Sequence, residues 1–287
     1  MKIIEFKEYT WRYLDAEKPA LNEINFHINQ GEFIGIIGAN GAGKTTLSYS
    51  INGLIPGQYH GIKRGEVLVF DKEVEQYDKG ALQHRVGMVF SDPEAQFTAM
   101  TVEDELVFGL ENLGMTLSEI TERLEWVVNL TDLGSLLLKP PYELSGGQKQ
   151  RVAVGAVLAM TPDVMIFDEP TSMLDPISRK RIFDVLREIK KEKNNTIIVV
   201  EHSLEHLVPL ADRILLLDQG QVVLFEETQT FFEQMPMLLE RGINPPGVLE
   251  FFHKLRENNG FADKLPLTVK EATEMMNHLL QHSAKER

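Results

Sequence analysis

Gly38-Ala39-Asn40-Gly41-Ala42-Gly43-Lys44-Thr45 is the stretch that decides the fold. It satisfies every fixed position of the phosphate-loop pattern G-x-x-x-x-G-K-[ST]. The flanks agree with it. Phe33-Ile34-Gly35-Ile36-Ile37 is short and almost wholly apolar, as expected of a strand covered on both faces. Lys44-Thr45-Thr46-Leu47-Ser48 opens a helix after the loop. Strand, glycine loop and helix form the context the pattern requires. Glycines let backbone N–H groups converge on phosphate oxygens. Lys44 supplies a point charge to the β- and γ-phosphates, and Thr45 offers a hydroxyl to Mg²⁺. Gly38, Asn40, Gly41, Ala42, Gly43, Lys44, Thr45 and Thr46 are therefore the candidate nucleotide-binding residues.

Three further segments follow in order. Val164-Met165-Ile166-Phe167 is an apolar run ending in Asp168-Glu169. Ligands of open α/β sheets bind at the carboxyl edge, where this strand would end. Asp168 is the candidate Mg²⁺ ligand, directly or through water, and Glu169 the candidate general base toward the attacking water. A second apolar run, Thr196 to Val200, leads to Glu201-His202. Placed at the same edge, His202 would contact the γ-phosphate or orient Glu169. Leu144-Ser145-Gly146-Gly147-Gln148 precedes a helix over Lys149 to Met160, and small residues before a helix N-terminus suit an anion. Ser145 also reads as an ordinary N-cap, and the two roles are compatible. Whose phosphate this loop faces is not set by its residues.

The remaining pattern is α/β. Ile24 to Ile28 alternates as a half-buried strand, and Val67 to Phe70, Val86 to Phe90 and Ile214 to Leu217 are further strands. Ser178 to Lys190 is helical. Strands alternating with helices predict a largely parallel sheet. Asp218-Gln219-Gly220-Gln221 turns the chain into a closing hairpin through Val222 to Phe225. Thr101 to Lys139 interrupts this pattern as a helical insert. Thr101 caps one helix with Glu103, Asp104 and Glu105 in its first turn, and Thr116 with Glu119 forms a capping box on the next. A helical tail follows residue 228, broken at Asn244-Pro245-Pro246-Gly247 and capped again by Thr268 with Glu271.

Composition narrows the partners. The 287 residues are 43% hydrophobic and 25% charged, sufficient for a sizeable core. A net charge of -14 disfavours nonspecific nucleic-acid binding, since phosphate backbones repel an acidic surface. There is no cysteine, hence no disulfide framework and no thiolate metal site. The N-terminus lacks the apolar core of a signal peptide, and no run of about eighteen apolar residues suits a bilayer span. Service to a membrane process would require a partner.

With these motifs in place, the chain resembles the ATP-binding-cassette (ABC) ATPases. Leu144 to Gln148 is similar to their signature motif, and the order of phosphate loop, signature, Asp168-Glu169, Ser172-Met173-Leu174-Asp175 and His202 is also theirs. The resemblance implies a RecA-like P-loop α/β core with a mixed, mostly parallel sheet over residues 1–228. A helical subdomain of about 97–150 is inserted in it. Residues 229–287 form a helical tail suited to dimerisation. It implies a head-to-tail dimer in which Ser145, Gly146, Gly147 and Gln148 of one subunit face the nucleotide of the other. It places Tyr13 against the adenine. Within the family the chain looks most like the ATPase subunits of energy-coupling-factor importers of vitamins or metal ions. Tyr13-Leu14-Asp15, Asp92-Pro93-Glu94-Ala95-Gln96-Phe97, Thr101-Val102-Glu103-Asp104-Glu105 and Leu265 to Ala272 carry that likeness. It implies a homodimer or a pair of paralogous ATPases on the cytoplasmic membrane face, with a transmembrane coupling protein and a substrate-binding membrane subunit.

The family usually has Gln where this chain has Ser91, and that Gln reaches Mg²⁺ and the attacking water. The Ser91 hydroxyl is about two bonds shorter. Ser91 is thus a further candidate toward Mg²⁺, and water bridging, a shifted role for Gln96, a slow subunit, or neutral drift around an otherwise intact site would each account for the difference. Two other functions compete, a soluble ABC protein acting on ribosomes or DNA and a weakly hydrolysing regulatory cassette. One cassette, no cysteine and the acidic charge weigh against the first, and Glu169 with His202 against the second.

Overall fold

Two sheets, set against each other, position the site. The computed structural model describes residues 1–78, 80–172, 174–191, 195–259 and 264–285. The larger sheet contains β3 (Phe33–Ile37), β6 (Val86–Val89), β7 (Val164–Asp168), β8 (Thr196–Val200), β9 (Arg213–Asp218) and β10 (Gln221–Glu227). Its order is β10-β9-β3-β8-β7-β6, parallel except for the β9–β10 hairpin. All five residues of β3, β7 and β8 are buried, as their apolar runs predict.

Side chains alternate between two cores. Ile34, Ile36, Ile166, Ile198, Val200, Leu215 and Leu217 face one. Phe33, Ile37, Met165, Phe167, Ile197, Val199 and Leu216 face the other. This is the period-two geometry of a strand. The first core is closed by α1 (Lys44–Asn52) and by the second sheet. The second is closed by α3 (Val102–Asn112), α4 (Leu117–Thr131), α5 (Gly146–Ala159) and α6 (Pro176–Lys191), named after α2 (Leu54–Gly57) in chain order.

The mixed, mostly parallel arrangement expected is present, with most antiparallel strands gathered into a second sheet. It is antiparallel, with the order β2-β1-β4-β5 over β1 (Lys2–Tyr13), β2 (Leu21–Asn29), β4 (Gly61–Val69) and β5 (Lys72–Glu73). Val67 to Val69 thus belongs to this sheet and not to the parallel one. Strand β1 has twelve residues, and simple alternation does not reveal it. Phe6, Tyr9 and Trp11 are all buried, so the inward parity slips between Phe6 and Tyr9. A register shift lies there, with Glu8 at φ 47. A bulge of this kind adds a residue and reverses the face that follows.

The insert and tail are helical as expected. Thr101 Oγ1 accepts from Asp104 N at 3.1 Å, and Thr116 and Glu119 complete a capping box at the start of α4. In the tail, α9 (Met235–Glu240) follows the short α7 (Leu204–Leu207) and α8 (Thr228–Phe232). It ends before the Asn244–Gly247 break, and α10 (Gly247–Asn259) and α11 (Val269–Lys285) follow. Thr268 and Glu271 cap α11 reciprocally. Phe231, Phe232, Met235, Leu238, Leu249 and Phe252 are buried in the core shared with β7 and α5. Their burial ties the tail to the sheet, since each large apolar side chain taken from water is worth about 1.5–3 kcal/mol.

Candidate active site

Register brings the motifs together. Ile36 pairs with Val200 across β3–β8, and Asp168 pairs with the same Val200 across β7–β8. The three strands therefore end at one level, with the phosphate loop, Asp168-Glu169 and Glu201-His202 all leaving the carboxyl edge. Glu201 N donates to Ile36 O at 3.1 Å and Glu169 N to Val200 O at 3.0 Å, which extends the ladder into the site.

The loop is held by the β9–β10 hairpin. Gly38 has φ +154, and a Cβ there would lie 2.1 Å from Leu217 O. Only glycine fits such an approach. Gly220 N donates to Ala42 O at 2.9 Å from the hairpin turn. Lys44 begins α1 and is 5% exposed. Its Nζ donates to Gly38 O and Ala39 O, each at 3.0 Å, and lies 3.9 Å from Glu169 Oε1. Burial lowers the Lys44 pKa, against the opposing pull of Glu169 and Asp168. The ammonium is thus held among acceptors within the loop that the motif assigns to phosphates.

Glu169 stands at φ 50, a left-handed conformation rare for this residue type. Strain of that kind persists where surrounding bonds over-determine the backbone, and it gathers at functional sites. His202 Nε2 and Glu169 Oε1 are 2.9 Å apart. Of the two roles open to His202, orienting Glu169 is the one this contact supports.

Asp168 is 1% exposed, and its Oδ1 has no hydrogen-bond partner. Burial pushes its carboxyl up to about 6, partly offset by the Thr45 hydroxyl that contacts it. An unpartnered buried carboxylate oxygen is costly, and a hard cation removes the cost. Among the described residues no group of three His, Cys, Asp or Glu could hold a metal alone. A cation on Thr45 and Asp168 would need phosphate oxygens to complete its shell, which is the usual magnesium arrangement. The residues fit Mg²⁺ on this ground.

Glu201 was visible in sequence only as part of a strand end. It is 3% exposed and burial raises its pKa. Thr171 Oγ1 donates to Glu201 Oε1 at 2.6 Å, and His202 N donates to Oε2 at 3.3 Å. It ties the loop after Glu169 to the loop carrying His202. A buried acid beside a candidate catalytic histidine was the available signal.

Tyr13 lies at the other side of the loop. Its hydroxyl is 3.1 Å from Thr46 Oγ1, and its ring meets Tyr59 edge-on at 6.2 Å. Ser91 is exposed just beyond β6. Gln96 Oε1 accepts from Phe90 N at 3.3 Å, which ties that glutamine to the backbone before Ser91.

The signature segment is elsewhere. Ser145 is the N-cap of α5 in a reciprocal capping box with Gln148. Gly147 packs against α6, where a Cβ would meet Ser178 Oγ at 2.6 Å. Asp175 Oδ2 accepts from that hydroxyl at 2.6 Å and Oδ1 from Ser178 N at 3.0 Å. No hydrogen bond or ion pair among the described residues joins Ser145 to Gln148 with Lys44, Asp168, Glu169 or His202. Met173, part of the loop read before Asp175, lies outside the described residues.

Comparison with known proteins agrees with this geometry. The sequence model of the ABC transporter family matches residues 21–172. A putative ABC transporter ATP-binding protein of Pyrococcus horikoshii is 37% identical over 276 residues, 96% of this chain and 97% of its own length. The energy-coupling factor transporter ATP-binding protein EcfA1 of Streptococcus mutans is 38% identical over 271 residues, 94% of this chain and 95% of its own. Among solved structures, cbiO1 of Clostridium perfringens, described as part of the ABC transporter complex cbiONQ, superposes with a TM-score of 0.72. It is 32% identical over 89% of this chain and 99% of that one. An ATP-binding cassette solved as a dimer with ADP and Pi has a TM-score of 0.69 at 27% identity, covering 78% and 98%. A family match across more than half of the chain, with full-length relatives well above 30% identity, shows that the chain belongs to the ABC transporter ATPases and is an ATP-binding, ATP-hydrolysing cassette.

Proposed function

We propose that this chain powers an energy-coupling-factor importer of vitamins or metal ions, as one of two paired ATPases on the cytoplasmic face of the cell membrane. The convergence of Lys44, Asp168, Glu169 and His202 at one sheet edge carries the hydrolytic part of this reading. Relatives named for energy-coupling factor transport support the importer part. No helix of the described residues is long and apolar enough to cross a membrane, so a membrane-embedded coupling protein and a substrate-binding subunit would supply the path.

Residues 38–46 hold the triphosphate of ATP, with Tyr13 against the adenine. Lys44 moves from the loop carbonyls to the β- and γ-phosphate oxygens. Thr45 and Asp168 would hold Mg²⁺, which when bound would supply neutralisation of phosphate charge. Glu169 takes a proton from the attacking water, and His202 keeps its carboxylate aimed. Ser145 to Gln148 of a second cassette close over the same phosphates, and the tail beyond residue 228 adds a permanent contact. Nucleotide bound between two chains stabilises their association by linkage.

Sedimentation of the Glu169→Gln chain with and without Mg-ATP tests the paired arrangement. A shift from monomer to dimer at micromolar protein is expected. A strict monomer in both conditions overturns it. Affinity purification from membranes tests the importer part, with two integral membrane proteins expected in the eluate.

A further inference from the structure

The tail reaches the catalytic edge. Arg241-Gly242-Ile243-Asn244, the turn after α9, forms one wall of a cavity of about 260 Å³. The opposite wall is Gly38 and Ala39 of the phosphate loop with Glu201 and His202. Ile243 N donates to Leu238 O at 3.0 Å and Gly242 has φ +72, which fixes this turn against the end of its helix. Arg241 carries the one fixed positive charge among the described residues lining the cavity.

Arg241 Nη1 donates to Asp218 Oδ2 at 2.9 Å. Asp218 ends β9, next to Leu217, whose carbonyl oxygen covers Gly38. A carboxylate paired with Arg241 therefore follows directly in the chain on the residue whose carbonyl covers the loop. The pair is 41% and 36% exposed, so its worth to folding is small. Its placement matters more for the field at the loop. We propose that Arg241 is a nucleotide-affinity residue supplied by the C-terminal segment. It cancels the Asp218 charge, so that this carboxylate does not repel the phosphates bound on the loop. This rests on reading residues 38–45 as the ATP phosphate loop.

An electrostatic role and a structural latch differ in sign. Loss of Arg241 leaves Asp218 facing the phosphates, whereas loss of Asp218 leaves Arg241 facing them. ATP binding by the full chain, measured at low and high salt in a Glu169→Gln background, separates the two. Arg241→Gln is expected to weaken ATP binding about three- to tenfold at low salt, with the effect shrinking as salt screens it. Arg241→Lys is expected to restore most of it. Asp218→Asn is expected to leave binding unchanged or tighten it. Equal weakening by Arg241→Gln and Asp218→Asn, or no effect of Arg241→Gln, overturns the inference. Lys44→Ala serves as reference. If it binds ATP as well as the parent, the phosphate-loop reading fails. If it loses binding while Arg241→Gln keeps it, only the role of Arg241 fails.

Discussion

The sheet edge and the signature helix carry the same kind of residues but differ in how they are satisfied. At the edge, groups are left with chemistry to do. Lys44 borrows loop carbonyls, Asp168 keeps a partnerless buried oxygen, and Glu169 is held in a strained backbone against His202. At the start of α5, Ser145 and Gln148 satisfy each other, and Gly147 nestles on Ser178 of the same chain. The first region is built to act within the chain and is unfinished without ligand. The second is locally complete, its capping groups satisfied by its own chain, which leaves room for the in-trans role proposed for it. Neighbouring glycines and hydroxyls thus have opposite physical status depending on whether their own chain satisfies them.

The sharpest way to break this contrast is at the edge. Glu169→Gln keeps the size of the side chain and removes the base. ATP binding should persist while the steady-state rate falls by roughly two or more orders of magnitude. Normal turnover by the purified variant would remove Glu169 from the mechanism.

A second test attacks the signature helix through its packing. In Gly147→Ala the new methyl meets Ser178, whose hydroxyl is committed to Asp175. Either α5 or the Asp175 turn must shift. ATP binding to the separate chain should be unchanged, while hydrolysis in the assembled complex drops about tenfold. A paired Ser178→Gly change should restore much of it. A binding defect in the separate chain would mean that the two regions are coupled within one subunit, contrary to the comparison.

Asp168 offers a third test, on stability. Its carboxyl is pushed up to about 6 from 3.8 by burial. The native state therefore holds the proton more tightly than the unfolded chain does. The penalty is absent below about pH 4, grows between pH 4 and 6, and is complete above that. The difference corresponds to at most about 3 kcal/mol. Asp168→Asn should recover about 1–2 kcal/mol at pH 7, raising the thermal midpoint a few degrees, while abolishing ATPase activity. The gain should vanish near pH 4. A less stable variant at pH 7 would show that the charge is paid for by contacts other than Thr45.

Most of the edge was legible in sequence because each of its strands is short, apolar and ends in a polar signature. Parity within β3, β7 and β8 is undisturbed, and their common level follows from parallel pairing. Strand β1 was not legible, because the bulge at Glu8 flips the inward face between Phe6 and Tyr9. The role of Glu201 was not legible, since its tie to Thr171 spans thirty residues of sequence and only folding brings them together. The tail read correctly as helices through its caps at Thr268 and Glu271, but nothing in its pattern placed Arg241 beside the phosphate loop.

The smallest effect is expected at Ser91, which is exposed just beyond β6. By the resemblance it stands where the family usually has Gln, and its side chain ends about two bonds short of that reach. Gln96 is the nearby candidate substitute, and its Oε1 is already held by the Phe90 amide. If neither side chain steadies the attacking water, Ser91→Gln should supply the missing hydrogen bond. One ordinary hydrogen bond is worth about 0.5–1.5 kcal/mol. The rate should then rise from a few-fold up to about tenfold, with ATP binding unchanged because Lys44 and the loop amides hold the phosphates. Steady-state ATPase of the full membrane complex is the measurement. Gln96→Ala sharpens it. Should Gln96 have taken over the role, this change slows the parent and is tolerated beside Ser91→Gln. A rate that Ser91→Gln leaves unchanged or lowers means that the short side chain does not limit hydrolysis, and the slow-subunit idea falls.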